Sequence, residues 1–400
     1  MIAAEIPTLP AGESADLILV PATASERIAS IKLNSVAWKG PLDLETYIER
    51  ENHLLRQRLT RDALTCWILV DRNEPEDNRT ILSSCESYRK TALLAHDGQV
   101  EKVSTHGVGS VYSRPEFRGK GYAKRMLEEL SIKLETWEME KEPRRKSLFT
   151  VLFSDIGKKF YAQFGWRPFL SSHMSLPATG GAEKAVTRDL FTEDVEKTLC
   201  SEAVFGKLRE KMLVASQKAS GAKIAILPNF DHFVWHWARE EFYVENLLPE
   251  RSPPIVKGAG DDQAHVYCAW NRTFGEAPEE NVLYILRWVY DDPTSPAEEQ
   301  ATIQAMAAIL RRAQQEAHEW NMSKVEFWNP TPLLQKAVAL VDPAAQLVHR
   351  EKESISSLRW TGEEQGLGKD VEWWLNEKSA GSTRVWAAYM IVMLLDTRTS

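Results

Sequence analysis

Val108-Gly109-Ser110-Val111-Tyr112-Ser113-Arg114-Pro115-Glu116-Phe117-Arg118-Gly119-Lys120-Gly121-Tyr122-Ala123-Lys124-Arg125-Met126-Leu127 decides the reading of this 400-residue chain. An apolar strand runs into a loop holding Gly119 and Gly121. The loop then opens a helix marked on one face by Met126, Leu127, Leu130, Leu134 and Trp137. Such a junction leaves backbone N–H groups unpaired at the positive end of a helix dipole, which suits a phosphate. The two glycines allow the backbone to approach an anion without a Cβ in the way. Between Arg114 and Arg125 five basic residues (Arg114, Arg118, Lys120, Lys124, Arg125) stand against one acid, Glu116, a local charge of +4 in a chain of −8. The segment reads as an anion site.

Three other readings compete for it. A Walker loop needs a Lys-Ser/Thr pair after its glycines, and none follows here. A dinucleotide fingerprint needs a third glycine near a first strand, whereas this loop follows the fourth strand candidate. A glycine turn with a solvated basic face also begins many helices.

The spacing separates them. Arg118-Gly119-Lys120-Gly121-Tyr122-Ala123 resembles the Arg/Gln-x-x-Gly-x-Gly/Ala signature of the GNAT superfamily of N-acetyltransferases, and Phe160-Tyr161-Ala162-Gln163-Phe164-Gly165-Trp166 is similar to that family's second motif. The resemblance implies an α/β (α+β) fold, a GNAT-type mixed sheet flanked by helices, with acetyl-CoA as co-substrate and no metal. It also implies roles. The amides of the loop and helix start (Arg118, Gly119, Lys120, Gly121, Tyr122, Ala123, Lys124) would cradle the pyrophosphate. The edge of the strand at Val111, Tyr112 and Ser113 would pair with the pantetheine arm. Tyr161 would protonate the departing thiolate, against the plain alternative of a tyrosine packed under the helix. His106 is a weaker candidate for the base that an ammonium substrate requires.

Around this segment the first half alternates strands and helices. Strands are expected at Asp16–Ala22, Leu64–Asp71, Ile81–Ala95, Val103–Ser113, Ser147–Phe153 and Phe169–Leu176. Helices are expected at Ser25–Val36, at Leu42–Gln57 with Leu44, Ile48 and Leu55 at helical spacing, and at Lys158–Phe164. Pro177–Ala185 reads as a linker. Beyond it the order of element types recurs, with a long helix at Ala297–Trp320 and strands at Val282–Tyr290, Lys324–Trp328 and Gln346–Trp360. This pattern predicts a diverged duplication: a GNAT acetyltransferase domain over 1–178 and a second, divergent GNAT-like domain over 186–400. At the equivalent junction of the second half, Tyr290-Asp291-Asp292-Pro293-Thr294-Ser295-Pro296 replaces glycines and arginines by acids and prolines. Cofactor binding is expected to be lost there, leaving that domain to shape the substrate pocket or cap the first.

Composition narrows the partners. The balance of 49 Lys plus Arg against 57 Asp plus Glu argues against nucleic acid and anionic membranes. The longest apolar run, Val385–Leu395, is shorter than a membrane span, and the N-terminus lacks the pattern of a signal peptide. Cys66, Cys85, Cys200 and Cys268 lie far apart, which fits reduced thiols in a cytoplasmic protein. His232 and His236 have two-His metal spacing without the accompanying glutamate, so packing on an aromatic helix is expected. Trp288, Trp320 and Trp328 read as core residues rather than a stacking surface.

Within the superfamily the combination looks most like the fungal lysine N6-acetyltransferases of lysine catabolism, on Leu152-Phe153-Ser154-Asp155-Ile156-Gly157-Lys158-Lys159-Phe160-Tyr161 with Gly165-Trp166. That resemblance implies transfer of acetyl from acetyl-CoA to the N6-amine of free L-lysine, a small cationic substrate. Another small amine, a protein lysine, or a non-catalytic acetyl-CoA-binding module are the alternatives.

Overall fold

A computed structural model describes residues 9–138, 147–181 and 187–380. The apolar run 385–395, Trp386, the first eight residues and parts of the 135–146 and 177–185 stretches lie outside these. The elements are, in chain order, β1 (Leu17–Pro21), α1 (Ala24–Trp38), α2 (Leu44–Leu55), β2 (Leu64–Asp71), β3 (Ser83–His96), β4 (Gln99–Ser113), α3 (Tyr122–Lys133), β5 (Phe149–Ser154), β6 (Arg167–Pro168) and β7 (Ser172–Pro177). Then come β8 (Arg188–Leu190), α4 (Thr192–Leu199), α5 (Glu202–Lys218), β9 (Ala222–Ile226), α6 (Phe230–Leu247), β10 (Gly258–Asp261), β11 (Val266–Thr273), β12 (Val282–Tyr290) and α7 (Pro296–Glu319). The last are β13 (Lys324–Trp328), α8 (Pro332–Val341), β14 (Val348–His349), β15 (Ile355–Trp360) and β16 (Val371–Trp374). The expected helix at 158–164 is only a 3-10 turn, Tyr161–Phe164. Gly165 ends it at φ 91°, and Pro168 lies three residues beyond.

Two mixed sheets result. One runs β1-β2-β3-β4-β5-β15-β6, with β9 joined to β3 and β16 to β9; the other runs β14-β7-β13-β12-β11-β10-β8. The sheets therefore do not divide where the chain does. β7, drawn into the first domain by its sequence position, pairs with β13 in the second sheet. β9, β15 and β16 return from the second half to the first, and β15 covers β5 from Ile355 against Ser154 to Trp360 against Phe149. The linker separates two stretches of chain but not two independent sheets. The architecture is α/β with mixed sheets flanked by helices.

The signature helix is held as its periodicity predicts. Met126, Leu127, Leu130 and Leu134 are all at 0% exposure against the strands beneath. Each such burial contributes roughly 1.5–3 kcal/mol. On α2 the pattern misleads: Leu44 is 44% exposed, and the buried face is Tyr47, Arg50, Glu51 and Leu54. The core of the second unit encloses charge as well. Arg272 and Glu240, both fully buried, pair at 3.1 Å; Lys257 adds 3.2 Å to Glu240, and Glu316 closes the group on Arg272. Removing one member leaves uncompensated buried charge. Arg272→Met is therefore expected to lower the unfolding free energy by about 3–5 kcal/mol, read as a lower denaturant midpoint. An unchanged midpoint would show that the carboxylates find other partners.

Candidate active site

β4 and β5 run parallel from His106 against Thr150 to Val108 against Leu152, and no pairing continues beyond. The strands part, and the β5-facing edge of Gly109–Ser113 stays open while the β3-facing edge is hydrogen-bonded. On that second edge the register slips between Ser84 and Glu86, so β4 carries a bulge. Ser110 takes a left-handed φ of 56° there, and its hydroxyl donates to Glu86 Oε2 at 2.5 Å. Holding a non-glycine residue at positive φ is costly, and such positions cluster at functional sites.

The parting opens into a cavity of 110 Å³ lined by Ser110 and Val111 on one side, Tyr161 and Asp155 on another, and charged residues from β3 and the flanking helices. Glu86, 7% exposed, accepts from the Tyr88 hydroxyl at 2.8 Å as well as from Ser110. Arg50, 1% exposed, donates to Glu51 Oε1 through Nε at 3.1 Å and Nη2 at 2.6 Å, and also to the Tyr243 hydroxyl. Arg239 from α6 stacks over the same Tyr243 ring at 5.3 Å. Both signs of charge thus meet in one small enclosed space. No residue of that charged set was among the sequence candidates.

Tyr161 is 9% exposed and edge-on to Phe160 at 5.1 Å. Burial, with Asp155 and Cys85 adding to it, pushes its hydroxyl well above the usual tyrosine range, so it stays protonated at neutral pH. Cys85 beside it is buried with its thiol also pushed up, which leaves it un-ionised and a poor nucleophile. His106 is at 0% exposure, and burial pulls its imidazole down to about 4. It does not line the cavity, and neither ring nitrogen has a hydrogen-bond partner among the described residues, so the structure offers it no part in proton removal. His232 and His236 are buried within α6; His232 sits 2.7 Å from Asn229 Oδ1 and 3.3 Å from Lys90 Nζ.

At the other end of the open edge, Gly119 (φ 76°) and Gly121 (φ 85°) turn the chain into α3. The helix has no side-chain cap and no acid in its first turn, leaving its N–H groups available to an anion. The basic set divides. Arg125 turns to Glu129 at 2.6 Å and to the carbonyls of Ser14 and Leu17, and Arg114 pairs with Glu116. Lys124 lies 4.0 Å from Glu128, and Arg118 and Lys120 remain at the mouth, Arg118 donating to the Ser113 carbonyl at 3.2 Å. The side chains of Tyr112 and Tyr122 are buried, Tyr112 against Trp38 and Tyr122 with its hydroxyl on the Pro10 carbonyl at 2.7 Å. Those residues, like Ala123, offer main chain rather than side chain to a ligand. Ser113 Oγ lies 2.8 Å from Ser83 Oγ on the β3 side.

Residues 173–381, more than half of the chain, match the family described as the LYC1 GNAT-like C-terminal domain. The chain belongs to that family. It is an acyl-CoA-dependent N-acetyltransferase of the GNAT type. Among curated relatives, an uncharacterized protein of Saccharomyces cerevisiae is 22% identical over 82% of this chain and 88% of its own length. A lysine acetyltransferase of Yarrowia lipolytica is 28% identical over 32% of this chain and 35% of its own. Among solved structures, N-myristoyltransferase of Saccharomyces cerevisiae with bound myristoyl-CoA has a TM-score of 0.50 at 10% identity, covering 88% of this chain and 83% of that one. A GCN5-related N-acetyltransferase from Kribbella flavida gives 0.47 at 14% identity, covering 86% and 71%. Such identities speak to the fold alone. Among the described residues no helix is long and apolar enough to cross a membrane.

Proposed function

We propose that the chain transfers acetyl from acetyl-CoA to the N6-amine of free L-lysine. The observation that carries this reading is the charge inventory of the cavity where β4 and β5 part. Arg27, Arg50 and Arg239 line it with Glu51, Glu86 and Asp155; Arg50 and Glu51 are paired with each other, so Arg239 is the partner proposed for a carboxylate and Glu86 the partner proposed for an amine. A zwitterion with a second amine needs both kinds. The 28% identity shared with a lysine acetyltransferase over part of the chain supports the same reading.

Acetyl-CoA supplies an acyl group activated as a thioester. The uncapped start of α3 with Gly119, Lys120 and Gly121 would hold its pyrophosphate, and the open edge of Val111–Ser113 its pantetheine arm. Glu86 accepts a proton from the substrate ammonium, so that the amine carries a lone pair. Ser110 and Tyr88 hold that carboxylate in place meanwhile. The amine nitrogen then bonds to the acyl carbon, and the carbon–sulfur bond breaks. Tyr161 gives its proton to the leaving sulfur, and the second proton that the nitrogen sheds as the amide forms returns to the phenolate, which restores Tyr161.

A panel of amines with acetyl-CoA, scored by release of free CoA, tests the substrate. L-Lysine is expected to exceed cadaverine, which lacks the carboxylate, by at least about 100-fold in kcat/KM, because a cavity that pairs a charged group rejects an analogue leaving it unpaired. Preference for a lysine-containing peptide, or for cadaverine, would overturn free lysine as the substrate while leaving the reaction class in place.

A further inference from the structure

The second unit has its own parting of parallel strands. β12 and β13 pair from Val282 against Lys324 to Ile285 against Phe327 and then separate, as β4 and β5 do. A cavity of 450 Å³ occupies the opening, within the range of small-molecule sites. The acids at its mouth, which the sequence suggests would repel an anion, are engaged: Asp291 with Lys207 at 2.5 Å and Asp292 with Lys211 at 2.9 Å, both lysines from α5.

Deeper in, the lining is rich in donors that lack acceptors. Lys378 is 1% exposed; its Nζ makes no hydrogen bond among the described residues and lies 4.3 Å and 4.5 Å from the ring centroids of Trp328 and Tyr284. The acids near it are held elsewhere, Glu326 by Lys324 at 2.7 Å and Asp155 by the Ser354 amide at 2.9 Å. Arg287 meets Glu377 at 3.5 Å, yet among the described residues its Nε has no acceptor. Among the same residues the indole N–H groups of Trp288, Trp328 and Trp374 have none either. Buried donors without partners are rare in native proteins, and five around one cavity point to an acceptor that comes from outside.

The chemistry of that acceptor follows from the charges. Five cations and three acids line the cavity. Two of the acids are matched at the mouth and the third by Arg287, which leaves Lys197, exposed to solvent, and Lys378, buried and without a hydrogen-bond partner among the described residues. The buried part of the cavity has room for one negative charge. Pyrophosphate is disfavoured because Ser295 caps α7 and Glu298 and Glu299 stand in its first turn, where α3 is uncapped and carries no acid. The indole walls favour a flat apolar body. We propose that this second cleft binds a small organic monocarboxylate, its carboxylate on Lys378 and its body against Trp328 and Trp374. The two cavities share no lining residue, although Asp155 and Arg239 of the acyl-transfer cavity act on Lys378, and the proposal stands whether or not lysine is the acceptor.

Calorimetric titration of the full chain, saturated with acetyl-CoA so that the first cleft is filled, tests this with 2-naphthoate and its neutral counterpart 2-naphthamide. The acid is expected to bind one-to-one and at least tenfold more tightly than the amide. Lys378→Met is expected to weaken it at least tenfold. Lys211→Glu, at an exposed position that cannot disturb the core, is expected to weaken it severalfold by reversing charge at the mouth. Equal binding of acid and amide by the wild-type chain, no binding at millimolar concentration, or competition between 2-naphthoate and acetyl-CoA would each overturn the proposal.

Discussion

Tyr161→Phe is expected to lower kcat by about 10²–10⁴-fold, the range that a positioned acid contributes, with KM for acetyl-CoA little changed. The reason lies in the protonation state that the fold imposes. In water the phenol is only slightly the weaker acid, since a thiol titrates near 8–9 and a phenol near 10. Burial raises both, because each ionises to an anion. The phenol and a departing thiolate in the same dry cavity therefore stay close in proton affinity. Since the hydroxyl is pushed well above 10, the wild-type rate should show no loss on the alkaline side from this group below pH 10. His106, neutral down to about 4, should add no break between pH 5 and 9. The substitution leaves an apolar ring against Phe160, so the far-ultraviolet spectrum and the denaturant midpoint should match wild type. Steady-state CoA release measures the rest, and a wild-type kcat in the variant would remove Tyr161 from the chemistry.

Severing the chain at the linker is expected to have a larger effect still. A fragment of residues 1–180 keeps both motifs, the whole of α3 and all of β4, yet should show no measurable turnover and no cooperative unfolding. β5 in that fragment loses all six of its pairings with β15, β3 loses β9, and β7 is left without β13. The exposed edge of β5 would carry Phe149, Val151 and Leu152, an association hazard rather than a surface. Co-expression of residues 181–400 should restore soluble, active material, because the missing pairings are supplied in trans. A fragment that folds and works alone would show that the exchanged strands add nothing essential.

What the sequence made legible was local. The loop at Gly119 and Gly121, the apolar stripe of α3 and the strand feeding it are each defined by neighbours within a few residues, where periodicity and turn chemistry act. The strand exchange was hidden because nothing in Ile355–Trp360 distinguishes a partner in β5 from one nearer in sequence. The cavity charges were hidden for a different reason. Arg50 occupies a place in the stripe of α2 between Tyr47 and Leu54, and a charged residue there reads as a solvent face until the second unit is seen to cover it. A signal was available in β3, where Glu86, Tyr88 and Lys90 alternate on one face of a strand that continues as Thr91-Ala92-Leu93-Leu94-Ala95. Three polar groups at period two on one face of a long strand mark a wet or reactive interior. The first-turn amides of α3 were readable from the glycines; which basic side chains join them was not. Arg125 was drawn away by Glu129 and by main chain at Ser14 and Leu17.

The exchange of strands also imposes an order on biosynthesis. The edge of β5 is complete at Ser154, but the strand that covers it begins at Ile355, about 200 residues later. At a synthesis rate of roughly 5–20 residues per second, the nascent first sheet waits on the order of 10–40 s with that edge bare. Slow codons or a shortage of chaperone in that interval should act on yield, while leaving the activity of each finished molecule unchanged.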